Sequence, residues 1–216
     1  MIRCRFVRSF TLVLATFVAL SCSDATATGP LAPSGAQDGL LSGVAGTVTG
    51  LLGTVLKVIG FQTDPNGIDV YAVKWAPTHV NAVRTVSATI GVNGGSLSIP
   101  VSDFTIAFPY GALSAPTTIS ITSDASGYVS YDMQPHGLVF KKPVIVMQRL
   151  KNTSVYGTPM ALNAFGAYFA TDPLDLSGLL KALEIETTTI FSGSSGLPEF
   201  ETWSLNHFSR YMLASG

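Results

Sequence analysis

From Gly67 onward the chain is cut into short runs in which apolar and polar residues alternate, each bounded by Gly or Pro. That pattern limits the fold more than any other feature. A period of two places alternate side chains on opposite faces of an extended strand, and a helix cannot use it. Val70–Trp75, Val83–Ile90, Phe104–Phe108 and Thr117–Thr122 alternate in this way. Tyr128–Met133, Val144–Leu150, Thr187–Phe191 and Phe200–Leu205 are further strand candidates. Pro65-Asn66-Gly67, Asn93-Gly94-Gly95, Pro109-Tyr110-Gly111, Ser126-Gly127 and Gly193–Gly196 supply the turn residues between them. Many short strands so punctuated predict an all-β fold, an antiparallel β-sandwich, in preference to an α/β sheet. One short helical insert is expected within it. Asp172-Pro173 would open that helix, and Leu176, Leu179, Leu180 and Leu183 would share one side of it up to Glu186.

The first residues carry a different signal. Arg3, Arg5 and Arg8 precede an apolar run, Phe10–Leu20, that is too short to cross a bilayer core of roughly 30 Å. Ala19-Leu20-Ser21-Cys22 resembles a bacterial lipobox, which implies cleavage before Cys22 and diacylation of its thiol. Ordinary secretion and an uncleaved anchor are the alternatives. The only two cysteines are Cys4 and Cys22, so the folded part has neither a disulfide nor a cysteine metal site to draw on. Residues 1–21 are thus expected to be a signal peptide, 22–66 a tether, and 67–216 one sandwich domain, exported to the cell envelope.

Removal of the signal takes Lys plus Arg from 12 to 9 against 13 acidic residues, a net charge of −4. A chain this acidic lacks the basic face that nucleic acid requires. Ser23–Gln37 is rich in Ala, Thr, Ser, Gly and Pro and is expected to act as a flexible tether. Gly39–Phe61 is apolar and glycine-rich, with Lys57 its only charge. Its Leu41, Val44, Val48, Leu51, Val55 and Val58 recur at helical steps, while four glycines oppose a helix. A helix docked on the sandwich or lying on the membrane, a loose apolar linker and a transmembrane helix all remain open.

Five segments carry a more specific pattern. Gly94-Gly95 opens a strand pair ending in Phe108-Pro109-Tyr110-Gly111-Ala112-Leu113. The strand Thr117–Thr122 follows, then Pro135-His136-Gly137-Leu138-Val139-Phe140-Lys141-Lys142-Pro143-Val144. The tail reads Asn206-His207-Phe208-Ser209-Arg210-Tyr211. In order and spacing these resemble the ZU-five domain, named for zonula-occludens and Unc-five proteins. The likeness covers most of residues 90–150 and 200–213. Tyr110 departs from the usual small residue or Pro, and the insert at Asp172–Glu186 is atypical of animal members. Those members sit in cytoplasmic scaffolds, so their partners are not expected here.

The resemblance implies a β-sandwich and, in some members, self-cleavage at His-Phe-Ser. There the Ser209 oxygen would attack the Phe208 carbonyl, forming an ester that water then hydrolyses. His207 would serve as base, and a strained Phe208–Ser209 peptide would be required. The plainer alternative places Phe208 in the core of a regular strand, with His207 and Ser209 together on the wet face.

Other constellations are weak. His79, His136 and His207 are scattered without zinc spacing. Asp172 and Asp175 suit helix capping better than calcium. Tyr128, Tyr131, Tyr156 and Tyr168 are candidates for a sugar-stacking face, although strand tyrosines more often pack. The sequence therefore predicts a non-catalytic, lipid-anchored envelope module with no cofactor and no metal. Its partners would be the membrane, through Cys22, and a protein or envelope polymer. Self-cleavage and carbohydrate binding are the alternatives.

Overall fold

A computed structural model describes residues 53–80, 82–169 and 176–216. Thirteen strands fill this part of the chain. The first five are β1 (Val55–Ile59), β2 (Gln62–Ala72), β3 (Arg84–Ile90), β4 (Gly95–Ile99) and β5 (Phe104–Phe108). Then come β6 (Thr117–Ser123), β7 (Ser130–Gln134), β8 (Val139–Arg149) and β9 (Ala164–Tyr168). The last four are β10 (Leu179–Ile185), β11 (Thr188–Ser192), β12 (Pro198–His207) and β13 (Arg210–Ser215). They make two antiparallel sheets, ordered β1-β11-β12-β8-β5-β4 and β2-β10-β9-β13-β7-β6-β3. The all-β sandwich expected from the alternation is present.

The core follows from that alternation. Phe104, Ile106 and Phe108 of β5, with Val144 and Val146 of the neighbouring β8, point between the sheets toward Ile119 and Ile121 of β6. Each such side chain contributes about 1.5–3 kcal/mol when taken fully out of water. The turn before β4 needs glycine at position 94. Gly94 has φ +74°, and a Cβ there would lie 2.1 Å from the Phe108 carbonyl oxygen.

A second core lies beside the first. β13 pairs not only with β9 and β7 but also with β2, through Ala214 opposite Ala72 and Ser215 opposite Tyr71. Since β2 pairs with β10, and β10 with β9, the four strands β2, β10, β9 and β13 close into a small barrel. Val70, Phe165, Ala167, Leu180, Ala182, Ile185, Met212 and Ala214 fill it. The opposite faces of its wall, Ala164, Tyr211 and Leu213, belong to the main core. This double duty explains why β13 is buried on both faces and shows no outward polar residue after Arg210.

Three sequence expectations are corrected here. Leu179–Ile185 is a strand of the barrel, not part of a helix. Leu180 and Ala182 point into the barrel, the register shifts between Ala182 and Glu184, and Leu179 is exposed. The register shift comes from β2, which carries four residues between Thr63 and Ile68 where β10 has only Leu183 between Ala182 and Glu184; Leu176 precedes the strand, and Leu179 and Leu180 point to opposite faces. Secondly, the sandwich does not begin at Gly67. β1 precedes that point and β2 spans it, and Val55 and Val58 lie in an edge strand, not on a helix. The rest of Gly39–Phe61, before residue 53, lies outside the described residues. Thirdly, Pro65-Asn66-Gly67 is no turn between strands. It lies within β2, among the extra residues that β2 carries opposite Leu183 of β10, and Gly67 takes φ +85° there. Among the described residues no helix is long and apolar enough to cross a membrane.

Candidate functional site

The residues singled out in the tail sit where the chain changes sheets. β12 runs through the first sheet to His207, Phe208 and Ser209 make the crossing, and β13 starts at Arg210 in the second. Phe208 is fully buried among Phe140 and Phe108, at ring distances of 4.9 and 6.0 Å with edge-on geometry. Its N–H donates to the Leu138 carbonyl at 2.8 Å, and its own carbonyl accepts from the Gly137 N–H at 2.9 Å. Phe208 is therefore held by core packing and by two backbone hydrogen bonds to the Pro135–Val144 segment.

His207 is not on a wet strand face with Ser209. Glu184 lies opposite Tyr168, and Tyr168 opposite Tyr211, across the adjacent strands β10, β9 and β13. Residues directly opposite share a face, so the three side chains point together toward the end of the first sheet. His207 meets them there. Its Nε2 lies 3.2 Å from Glu184 Oε2, its ring packs edge-on against Tyr168 at 5.1 Å, and its carbonyl accepts the Tyr211 hydroxyl at 3.1 Å. Donation by Nε2–H to the carboxylate is the tautomer that satisfies this network. Glu186, on the connection to β11, is buried behind them. Burial, reinforced by the nearby Glu184 charge, pushes its carboxyl up to about 8. Burial also raises the Tyr211 hydroxyl well above its ordinary range, with Glu186 and Glu184 adding to it.

No hydrogen bond joins His207 to the Ser209 hydroxyl among the described residues. The Ser209 carbonyl accepts from the Met133 N–H at 3.1 Å. Neither Phe208 nor Ser209 has a positive φ; among the described residues Asp103 is the non-glycine residue that does. The imidazole meets Glu184 through Nε2, and Tyr211 Oη lies 3.3 Å from its Nδ1.

The remaining candidates are dispersed. Cys22 lies outside the described residues, as do Asp172 and Asp175. His79 stacks on Trp75 at 4.0 Å, and burial lowers its pKa. His136 bonds Asp132 at 2.7 Å beside the turn. Among the described residues no group of three His, Cys, Asp or Glu could hold a metal ion. The four tyrosines do not form one face: Tyr131 is fully buried, and Tyr168 is packed against His207.

Sequence reading missed Glu184 and Glu186, because both fell in the expected helix. The run Leu183-Glu-Ile-Glu-Thr-Thr-Thr does alternate at a period of two, and that was the available signal. It also missed a buried polar centre between the sheets. The Tyr131 hydroxyl donates to Gln148 Oε1 at 2.6 Å, and Gln148 Nε2 donates to the Ser102 carbonyl at 2.9 Å. Glu201, on the neighbouring strand opposite Gln148, is fully buried, and neither of its carboxyl oxygens has a hydrogen-bond partner. Burial drives its pKa well up, which favours the neutral acid.

No protein-family model matches this sequence, and no curated protein matches it.

Proposed function

We propose that this chain is a lipid-tethered cell-envelope module, built on a ZU-five-like sandwich, that binds or supports a partner and does not turn over a substrate. The tether reading rests on the basic and apolar leader and on Cys22 after Ala19-Leu20-Ser21. The family reading is supported by convergence. The Phe108-Pro109 turn, the Pro135–Val144 segment and the His207-Phe208 tail meet around the Phe108, Phe140 and Phe208 rings. Backbone hydrogen bonds join the same pieces, from Lys141 N–H to the Ala112 carbonyl and from Phe208 N–H to the Leu138 carbonyl.

The observation that carries the non-catalytic reading is the commitment of His207 to Glu184 and Tyr211, with Phe208 locked in the core. A self-cleaving site needs a free base at the hydroxyl, and the bonds His207 makes to Glu184 and Tyr211 favour the non-catalytic reading.

Intact mass of the chain recovered from bacterial membranes tests both parts. The expected species begins at Cys22, carries a diacylglyceryl group and retains Ser209–Gly216. The Cys22→Ser variant should leave the membrane fraction. Loss of the segment after Phe208 would replace the binding reading with self-processing, and a wild-type chain cut elsewhere and unlipidated would remove the tether.

A further inference from the structure

One end of the sandwich carries side chains that the core does not use. Three elements meet there. The Gly111 N–H donates to the Val92 carbonyl at 2.7 Å, which sets the β3–β4 turn against residues 109–113. The Lys141 N–H donates to the Ala112 carbonyl at 2.9 Å and joins the start of β8 to the same segment. Lys142 Nζ donates to the Tyr110 carbonyl at 2.8 Å and lies 5.7 Å from the centre of the Tyr110 ring. Val139 and Lys141 flank the buried Phe140 and so share the outer side of β8. These bonds hold Val92, Tyr110, Val139, Lys141 and Lys142 on one surface.

All five are exposed, Tyr110 by 67% and Val139 by 72%. Singly, such apolar residues are ordinary on a surface. Three of them set around two lysines make a mixed patch. No carboxylate among the described residues pairs with either lysine. The acids at this end are already taken, Asp132 by His136 and Arg210, and Glu184 by His207. Lysines are drawn to anionic headgroups, while Tyr and aliphatic side chains enter at headgroup depth. A soluble polyanion would meet the lysines and leave the apolar side chains in water.

From this juxtaposition we infer that this end of the sandwich docks on the surface of an anionic bilayer. Lys141 and Lys142 would lie against the headgroup phosphates, with Val92, Tyr110 and Val139 among the headgroups. The inference goes beyond the tether reading and does not require Cys22 to be acylated. It also fixes an orientation. Along β12, Phe200 lies level with Phe191 and Val55, and His207 level with Val139, roughly 25 Å away. The described chain therefore begins at the end far from the patch. Val101 is exposed at that far end, two residues before Asp103, whose carbonyl accepts from the Arg149 N–H beside Phe200. A chain held only by its N-terminal side would leave Val101 at least as near the bilayer as Val139. Docking reverses that order.

The test uses the full chain carrying Cys22→Ser, with valine methyls labelled for NMR, and nanodiscs of phosphatidylglycerol bearing a headgroup spin label. The signals of Val92 and Val139 should be lost well before that of Val101. In phosphatidylcholine nanodiscs that order should disappear. Lys141→Gln combined with Lys142→Gln should restore Val92 and Val139 in phosphatidylglycerol, with unmoved Val144 and Val146 signals reporting that the fold is intact. Loss of Val101 together with or ahead of Val139 would overturn the docking face. The same order of loss in both lipids, or its survival in the double variant, would overturn the role of the lysines. Shifts of Val92 and Val139 with soluble polyphosphate as large as those with the nanodiscs would replace the bilayer by a soluble polyanion. The variant carries no acyl group, so none of these outcomes turns on the tether reading.

Discussion

Replacement of Glu186 by Gln should stabilise this protein, and increasingly so as pH rises. The unfolded carboxyl titrates near 4.5 and the folded one at about 8. Between those values the unfolded chain has lost a proton that the folded chain keeps, so the folded state loses stability as pH increases. Below pH 4.5 both states are protonated and Glu186 imposes no charge penalty. At pH 7 the gap is about 2.5 pH units, which at about 1.4 kcal/mol each gives about 3 kcal/mol. Above pH 8 the full gap applies, about 5 kcal/mol. Gln has nearly the shape of the protonated acid and cannot ionise, so it should remove this slope while leaving packing unchanged. For a domain of this size one kcal/mol moves Tm by about 2–4 °C, so Glu186→Gln should melt roughly 10 °C above wild type at pH 7 and level with it at pH 4.5. Thermal or urea unfolding at pH 4.5, 6, 7 and 8 reads the difference directly. Glu201 adds a slope of the same sign to both proteins and cancels from the comparison. A difference that stays constant with pH would refute the argument, because it would mean that Glu186 is ionised in the folded state or hydrated there.

Three further substitutions test the packing. Phe208→Ala empties the centre of the three-ring cluster and should cost about 3–5 kcal/mol in urea unfolding; a loss under 1 kcal/mol would mean that the tail is peripheral. Gly166→Ala would set a Cβ 2.8 Å from the Trp203 ring, so it should lose about 1–3 kcal/mol and perturb near-UV circular dichroism. An unchanged spectrum would contradict the tight contact between β9 and β12. Glu201→Leu removes a buried acid without partners and should gain about 1–3 kcal/mol at pH 7. A loss of stability there would point to a water or partner satisfying the carboxyl.

How much of this was legible in the sequence depended on range. Phe104-Thr-Ile-Ala-Phe and Thr117-Thr-Ile-Ser-Ile announce half-buried strands because their period needs no knowledge of what they pack against. The glycine turn at Gly94 was equally local. Leu176 to Leu183 misled because leucines at three- and four-residue steps mimic a helical stripe, whereas in the fold Leu176 precedes β10 and Leu179 and Leu180 point to opposite faces. Closure of the barrel joins Ala72 to Ala214, and no local pattern encodes a contact between residues so far apart. The His207 cluster was half visible: the histidine stood out, but its partners came from β9 and β10, which only the fold brings alongside. The burial of Glu186 and Glu201 was not legible, since acids are placed outside by default and only three-dimensional packing overrides that expectation.

Strands β9 and β13 form one wall with a hydrophobic filling on each side. β13 follows every other described strand along the chain, so neither filling can be sealed until it arrives. A chain emerging N-terminus first would hold both incomplete cores open until then, and would have to fold in one late step. Once folded, the same wall ties the two compartments together, because withdrawing β13 floods both. Backbone amides of Val70 and Leu180 in one and of Ile106 and Ile121 in the other should accordingly exchange with solvent at a common, global rate.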